Sequence, residues 1–374
     1  MRVLHFYKTY FPESWGGVEQ VIRQLCVGTS RLGVTNEVLT LTRGGAADSF
    51  DIDGHRVHRV PQAFEIASNS VSLGVIGKLA ELAREADVIH YHFPWPFMDL
   101  AHFMARVKKP SVVTYHSDIV RQKALLKFYA PLKRRFLSDV DAIVATSPNY
   151  FASSEVLKRY NGKVQTIPFG LDKATYPQPK PELLEKWRAR AGERFFLFVG
   201  VLRYYKGLHI LLDAMARLDY PVVIVGAGPI EQELKAHAAR LGLTHVQFVG
   251  RVDEDDKVAL LTLCYAMAFP SHLRSEAFGI SLLEGAMYGK PMISSEIGTG
   301  TTYINSHGET GLVVPPSDPD AFGAAMRQLW ENPALAADMG RRAEERYWNL
   351  FTADKMARDY LALYQKLVDG KVQG

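Results

Sequence analysis

The chain has 374 residues, enough for two domains of ordinary size, and its 47% hydrophobic and 22% charged content with no low-complexity tract argues against a disordered or fibrous protein. Two cysteines, Cys26 and Cys264, sit far apart in apolar runs, which argues against a disulfide framework or a Cys-based metal site and suits free core thiols in a reducing compartment. The net charge of +4 is uneven: residues 1–168 hold 21 Lys/Arg against 15 Asp/Glu, the rest 23 against 25, and Arg106 to Arg135 contains nine basic residues against the single acid Asp118, a density that suits an anionic partner.

The amino terminus "MRVLHFYKTYF" carries Lys8 inside its first apolar run and does not read as a signal peptide. No later run reaches transmembrane length, so a cytoplasmic location is expected. Short β-branched or aromatic runs then alternate with helical patterns: "RVLHFY" before "GGVEQVIRQLCVGTSRLG", then "NEVLTLT", "VIHYH" before "PFMDLAHFMARVKK", "PSVVTYH", and "AIVATSP" before "NYFASSEVLKRY". The second series begins near Phe195 with "FFLFVGVL", "YPVVIVGAG", "VQFVGRV", "YAMAFPS", "PMISSE" and "TGLVVPP". Such alternation predicts an α/β chain of two doubly wound, Rossmann-like parallel sheets. The expected division is residues 1–169, a proline-rich linker at 170–192, a second domain at 193–348, and terminal helices at 349–374, the last packing back across the first domain. Ligands bind at the carboxyl ends of strands in such sheets, so two facing domains are expected to share a cleft.

Several segments at strand ends carry candidate chemistry. Gly16-Gly17 stand between the first strand and the first helix, with Glu19 in the first turn; close approach of a phosphate or sugar and a simple packing turn both fit. "VVTYHSD" ends a strand with His116 and Asp118, where a cleft-facing His and a buried structural His are both open readings. Arg203 and Lys206 flank a strand-to-helix turn closed by Gly207, either as a diphosphate clamp or as two solvated loop cations. "VIVGAGP" lacks the third glycine of a dinucleotide fingerprint, and "DID" at 51–53 and "DPD" at 318–320 read as turn aspartates in preference to a metal-binding Asp-X-Asp. The stretch "SEAFGISLLEGAMYGKP" places Glu276 just before a short helix and Glu284 one turn inside it, with Gly279 at the mouth of the helix; free amides there that meet phosphate and an ordinary surface helix with two solvated glutamates both fit.

Taken together, "GGVEQ", "HSD", "R-x-x-K-G", "E-A-F-G-I-S-L-L-E-G" and "G-E-T-G-L-V-V-P-P" resemble the retaining family 4 glycosyltransferases of the GT-B fold over almost the whole chain, with a narrower similarity to bacterial mannosyl- and rhamnosyltransferases of surface polysaccharide synthesis. That resemblance implies a nucleotide-sugar donor, with GDP-mannose or a GDP-deoxyhexose such as GDP-rhamnose expected, a lipid-linked glycan acceptor, no metal or other cofactor, and no nucleic-acid partner. It implies donor binding by Gly16, Gly17, Arg203, Lys206, Arg251, Val252, Glu276, Ala277, Phe278, Gly279, Ile280, Ser281 and Glu284. Within that set, Glu276 would hold sugar hydroxyls and Glu284 the ribose, and Glu276, His116, Arg203 and Lys206 would carry the reaction. The leaving diphosphate gathers negative charge, which fixed cations stabilise, and front-face attack assisted by that phosphate needs no protein nucleophile. Val201 occupies the place where many members carry Arg, leaving Arg203 to supply the cation, and "GTGTTYI" replaces the usual "GG-x-P-E", so that the contact of its Glu either falls to Tyr303 or is lost. A UDP-sugar-dependent transferase, a nucleotide-sugar epimerase or hydrolase and an inactive carbohydrate-binding scaffold are the rival readings.

Finally, "RQKALLKFYAPLKRRFL" places Leu125, Phe128, Tyr129, Leu132 and Phe136 on one helical stripe, with Lys123, Lys127 and Arg134 opposite and Pro131 expected to bend or divide the helix. An ordinary packed helix is one reading. The other, with the acceptor implied by the resemblance, is reversible attachment to an anionic inner leaflet.

Overall fold

The computed structural model describes residues 1–14, 16–66, 69–119 and 123–372, and the chain divides into two units, Met1–Leu171 with Ala353–Gly374, and Asp172–Thr352. In chain order the first unit contains β1 (Arg2–Phe6), α1 (Gly17–Ser30), β2 (Thr35–Thr42), β3 (Asp48–Ile52), β4 (His55–Pro61), β5 (Phe64–Ile66), β6 (Asn69–Val71), α2 (Gly74–Glu85), β7 (Val88–Phe93), α3 (Pro96–Met104), β8 (Ser111–Tyr115), α4 (Lys123–Asp139), β9 (Ala142–Ala145), α5 (Pro148–Ser153) and β10 (Val164–Thr166). The second contains α6 (Pro181–Ala191), β11 (Phe196–Val199), α7 (Leu208–Met215), β12 (Val222–Val225), α8 (Glu231–Arg240), β13 (Val246–Gly250), α9 (Glu254–Leu263), β14 (Ala266–Phe269), α10 (Ile280–Met287), β15 (Met292–Ser295), α11 (Thr301–Ile304), β16 (Gly311–Val314), α12 (Pro319–Glu331) and α13 (Pro333–Leu350). The last helix, α14 (Ala353–Val372), returns to the first unit.

The first sheet has the order β10-β9-β8-β7-β1-β2-β4-β3, parallel except for the β3–β4 hairpin. Its central strands β7 and β8 are buried along their whole length, as expected of parallel strands covered on both faces. Strand order reverses between β1 and β7. One face is covered by α1, whose Val21, Ile22, Leu25 and Cys26 point inward, and by α14, whose Tyr360 and Tyr364 are fully buried. Gly28 lets α1 and α14 approach closely, since an added Cβ would lie 2.8 Å from Ala357. The second sheet, β13-β12-β11-β14-β15-β16, is parallel throughout and reverses between β11 and β14.

Several local expectations need correction. The region expected as a linker, from Asp172 onward, belongs to the second unit: α6 is anchored there by Trp187, which is buried and donates to Asp256 at 2.7 Å. The "DID" segment, by contrast, is as expected a turn at the end of β3, and both carboxylates are paired, Asp51 with Arg56 at 3.0 Å and Asp53 with Arg23 at 2.5 Å. The helix expected over 149–160 is interrupted after Ser153 and resumes as a 3₁₀ segment, Leu157–Lys163. Pro131 does not divide α4, which runs from Lys123 to Asp139. Nor is the apolar stripe of α4 uniform: Phe136 is buried and Tyr129 donates to Asp99, but Phe128 is 86% exposed. Neighbours one residue apart on a helix point about 100° apart, which lets Tyr129 reach Asp99 while Phe128 stays exposed.

Candidate functional site

In the second unit the site grows from the strand-order reversal. The loop after β11 and the loop after β14 leave the carboxyl ends of adjacent parallel strands, the position where open α/β sheets bind ligands. Gly207 lets these loops touch: it adopts φ +71°, and a Cβ there would run into the carbonyl of Pro270. The contact brings Lys206 onto Glu276 in an ion pair, although the two are far apart in sequence. Ser271 donates to the same Glu276 oxygen at 3.1 Å. Burial opposes the charge on Lys206, but the attraction of Glu276, with Tyr205 beside it, outweighs that cost and raises its pKa above the ordinary lysine value. Lys206 therefore stays a cation.

Three residues beyond Glu276, Gly279 begins α10 at φ +99°, with Phe269 and Leu282 packed where a side chain would project. The first amides of α10, at Ile280 and Ser281, have no carbonyl of their own helix to bond, so the end presents donors to an anion. Glu284 lies further along the helix and is buried, accepting from Lys257 at 2.7 Å and from Tyr176 at 3.0 Å. Burial disfavours the Lys257 ammonium, yet Glu284 and Glu254 hold its pKa above the usual value. The two glutamates thus sit in separate cation-paired pockets, one ahead of the helix and one within it. Lys257, Tyr176 and Ser271 had no motif to mark them; only the tertiary contacts do.

The remaining donor-side candidates divide. Arg203 is exposed on the loop after β11, whereas Lys206 on the same loop is buried in its ion pair with Glu276. Arg251 is exposed and Val252 half-buried just after β13. Ala277 binds through its backbone, its carbonyl accepting from the amide of Gly300 at 2.9 Å, and Phe278 is core, with its ring against Phe351. Tyr303 packs edge-on to Phe351 and under Arg346, so it forms part of the α11–α13 packing. The "GAG" glycines serve close packing: a Cβ on Gly226 or Gly228 would collide with the carbonyl of Gly200 or Leu202. In "DPD", Asp318 caps α12 by accepting from Ala321 at 2.9 Å, and Asp320 pairs with Arg217 at 2.9 Å.

In the first unit, Gly17 begins α1 and Gly16 is its N-cap. The carboxylate of Glu19 folds back against Gly16 and accepts from Thr9 at 2.9 Å and from Ser14 at 2.5 Å, so negative charge already faces this helix end. His116 follows β8 directly and is 5% exposed, its Nε2 lying 3.0 Å from Nδ1 of His92; burial lowers its pKa to about 3, so the ring is neutral. Asp118 braces the same loop, accepting from Tyr115 at 2.9 Å and from Ser154 at 3.0 Å. Arg134 is exposed on α4, whereas the side chains of Lys123 and Lys127 lie outside the described residues. No helix among the described residues is long and apolar enough to cross a membrane.

The family described as "Glycosyl transferases group 1" matches residues 179–346, and "Glycosyltransferase Family 4" matches residues 15–175. The chain is 65% identical to the D-rhamnosyltransferase WbpZ of Pseudomonas aeruginosa over 94% of its own length and 93% of that protein's. It is 49% identical to the O-antigen chain mannosyltransferase C of Escherichia coli over 99% and 100% of the two chains. Among solved structures, a sucrose-phosphate synthase from Thermosynechococcus elongatus superposes with a TM-score of 0.80 at 20% identity over 99% of both chains, and Anabaena HepE, solved with UDP, with a TM-score of 0.76 at 20% identity over 98% and 100%. With two doubly wound units and matches that together span most of its length, the chain belongs to the family 4 glycosyltransferases of the GT-B fold.

Proposed function

We propose that the chain moves a mannose or rhamnose from a GDP-sugar onto a lipid-linked glycan during surface polysaccharide synthesis, with retention at the anomeric carbon and without a metal. The observation that carries this reading is the buried Lys206–Glu276 pair beside the free amides of α10. A nucleoside diphosphate brings negative charge to that helix end, and Lys206 is a cation held where the leaving phosphate gathers charge. Glu276, an acceptor of hydrogen bonds only, suits sugar hydroxyls and repels phosphate, and Glu284 suits the vicinal hydroxyls of a ribose. The names of the two bacterial relatives, a rhamnosyltransferase and an O-antigen mannosyltransferase, support the glycan side and the choice of sugar.

Because the acceptor is lipid-linked in this reading, the enzyme works at a membrane. Basic α4 with its exposed Phe128 provides a reversible contact with an anionic inner leaflet, to which each Lys or Arg contributes about 1 kcal/mol. Purified enzyme is to be screened for thermal stabilisation by GDP-, UDP- and ADP-sugars, then assayed for transfer with the stabilising donor, with and without acceptor and with EDTA. GDP-sugar-dependent transfer that survives EDTA is the expected result. Productive use of a UDP-sugar with none of GDP-sugars would overturn the donor; loss of activity in EDTA and recovery with manganese would overturn the metal-free reaction; donor consumption without acceptor would point to a hydrolase or epimerase.

A further inference from the structure

The first unit holds a set of buried histidines that the assignments above leave almost unused. His5 on β1 pairs in register with His90 on β7, and His92 lies two residues further along β7 on the same face, so three imidazoles meet where the strand order reverses. All three are fully buried. Their nitrogens come within 4.8 Å of one another, close enough to hold a cation, but every one of the six already has a hydrogen-bond partner. His90 is spanned by Tyr364 at 2.7 Å and Thr114 at 2.7 Å. The other two rings continue a line: Asn36 Oδ1 to His5 Nε2 at 3.2 Å, His5 Nδ1 to His92 Nε2 at 3.2 Å, and His92 Nδ1 to His116 Nε2 at 3.0 Å.

The direction of the line follows from its inner end. Asn36 donates through Nδ2 to the carbonyl of Cys26 at 3.0 Å and to the hydroxyls of Thr29 at 2.9 Å and Ser30 at 3.0 Å, so its amide cannot be reversed without setting oxygen against a carbonyl. Its Oδ1 can only accept, which places the proton of His5 on Nε2. A neutral imidazole has one donor and one acceptor, so His5 Nδ1 must accept from His92 Nε2, and His92 Nδ1 must in turn accept from His116 Nε2. Burial keeps the rings uncharged, lowering His5 and His116 to about 3 and His92 well below its ordinary value. Among the described residues nothing hydrogen-bonds the last nitrogen, His116 Nδ1. The line runs from mid-sheet to the carboxyl edge of the strands.

We propose that Asn36, His5 and His92 are positioning residues that fix the tautomer of His116, so that its Nδ1 meets substrate only as a hydrogen-bond acceptor and therefore receives a hydroxyl group. The link to transfer rests on the proposed function; the tautomer assignment does not.

Histidine-selective nitrogen labelling of the full chain, read by NMR near neutral pH and assigned with single His→Gln variants, shows which nitrogen of each ring carries the proton. His5, His92 and His116 are expected as Nε2–H tautomers. A proton on Nδ1 of any of the three, or a charged ring, would overturn the assignment whatever the donor proves to be. Asn36→Leu removes the anchoring oxygen, so His116 should become a mixture of tautomers, and kcat/KM for transfer should fall by about tenfold, the scale of one well-placed hydrogen bond. His5→Phe cuts the line at its next link and should give the same two changes if Asn36→Leu does not fold. An unchanged tautomer pattern in the folded variants would refute the role of Asn36. Mixed tautomers with transfer within about twofold of the parent would refute the link to catalysis.

Discussion

Replacing Lys206 by Met keeps most of the side-chain stem while deleting the ammonium, and so separates the two tasks of the Lys206–Glu276 pair. Both side chains retain about a tenth of their exposure, 11% and 10%, so the pair is close to buried. Breaking a buried pair by removing one partner costs about 3–5 kcal/mol, since the surviving charge is stranded. Here Ser271 still donates to Glu276, and the low end, about 3 kcal/mol, is the expected loss. In a unit of this size that lowers the melting temperature by roughly 6–12 °C. Turnover should fall about 100-fold, as when one charge-stabilising donor is lost. The decisive comparison is Lys206→Met with Glu276→Gln, which strands no charge. Denaturant titration should return its stability to within about 1 kcal/mol of the parent, by the same reasoning, while single-turnover kinetics should show no recovery of transfer. Recovery of transfer in the double variant would show that the pair is only structural, and a single variant with parental stability and turnover would refute the whole argument.

Glu284→Ala should raise KM for the donor about tenfold with little change in kcat, since a charged hydrogen bond of about 1.5 kcal/mol or more to the ribose, and none to the reacting groups, is lost in the proposed reading; steady-state kinetics showing an equal loss in kcat would contradict this. Acid should destabilise the first unit before carboxylates titrate. His5 and His116 are depressed to about 3 against an ordinary value of 6.5, so the unfolded chain binds more protons and stability falls as pH drops below 6.5, by up to about 1.4 kcal/mol per pH unit for each ring. Thermal unfolding that is flat between pH 6 and 5 would refute the neutral assignment. The enzyme should co-sediment with vesicles containing anionic lipid at low salt and be released at high ionic strength. Lys123→Glu, Lys127→Glu and Arg134→Glu together, or Phe128→Ser, should weaken that binding; wild-type protein left in the supernatant would remove the membrane contact.

What could be read without tertiary structure was local or repetitive. Alternating strand and helix signals reported two doubly wound sheets, because the burial of parallel strands on both faces writes a continuous apolar run into each. The position of Glu276 ahead of a glycine-headed helix was legible for a similar reason: Gly279 and the apolar face of α10 are neighbours in sequence. Less patterned segments escaped. The β3–β4 hairpin has mixed polarity, and the proline-rich stretch before Phe195 looked like a linker although α6 is pinned by a buried Trp187. Which cation each glutamate receives was beyond sequence altogether. Lys206 reaches Glu276 because β11 and β14 are neighbours in the sheet, and Lys257 reaches Glu284 because α9 brings it beside α10. The same holds for the histidines: His5, His92 and His116 each stand at an unremarkable place in an apolar strand or at its end, and only parallel pairing across the order reversal puts their rings in one line ending on Asn36. Hydrogen bonds depend on side-chain atoms a few ångströms apart, and that proximity is set by sheet order, which no short stretch of sequence encodes.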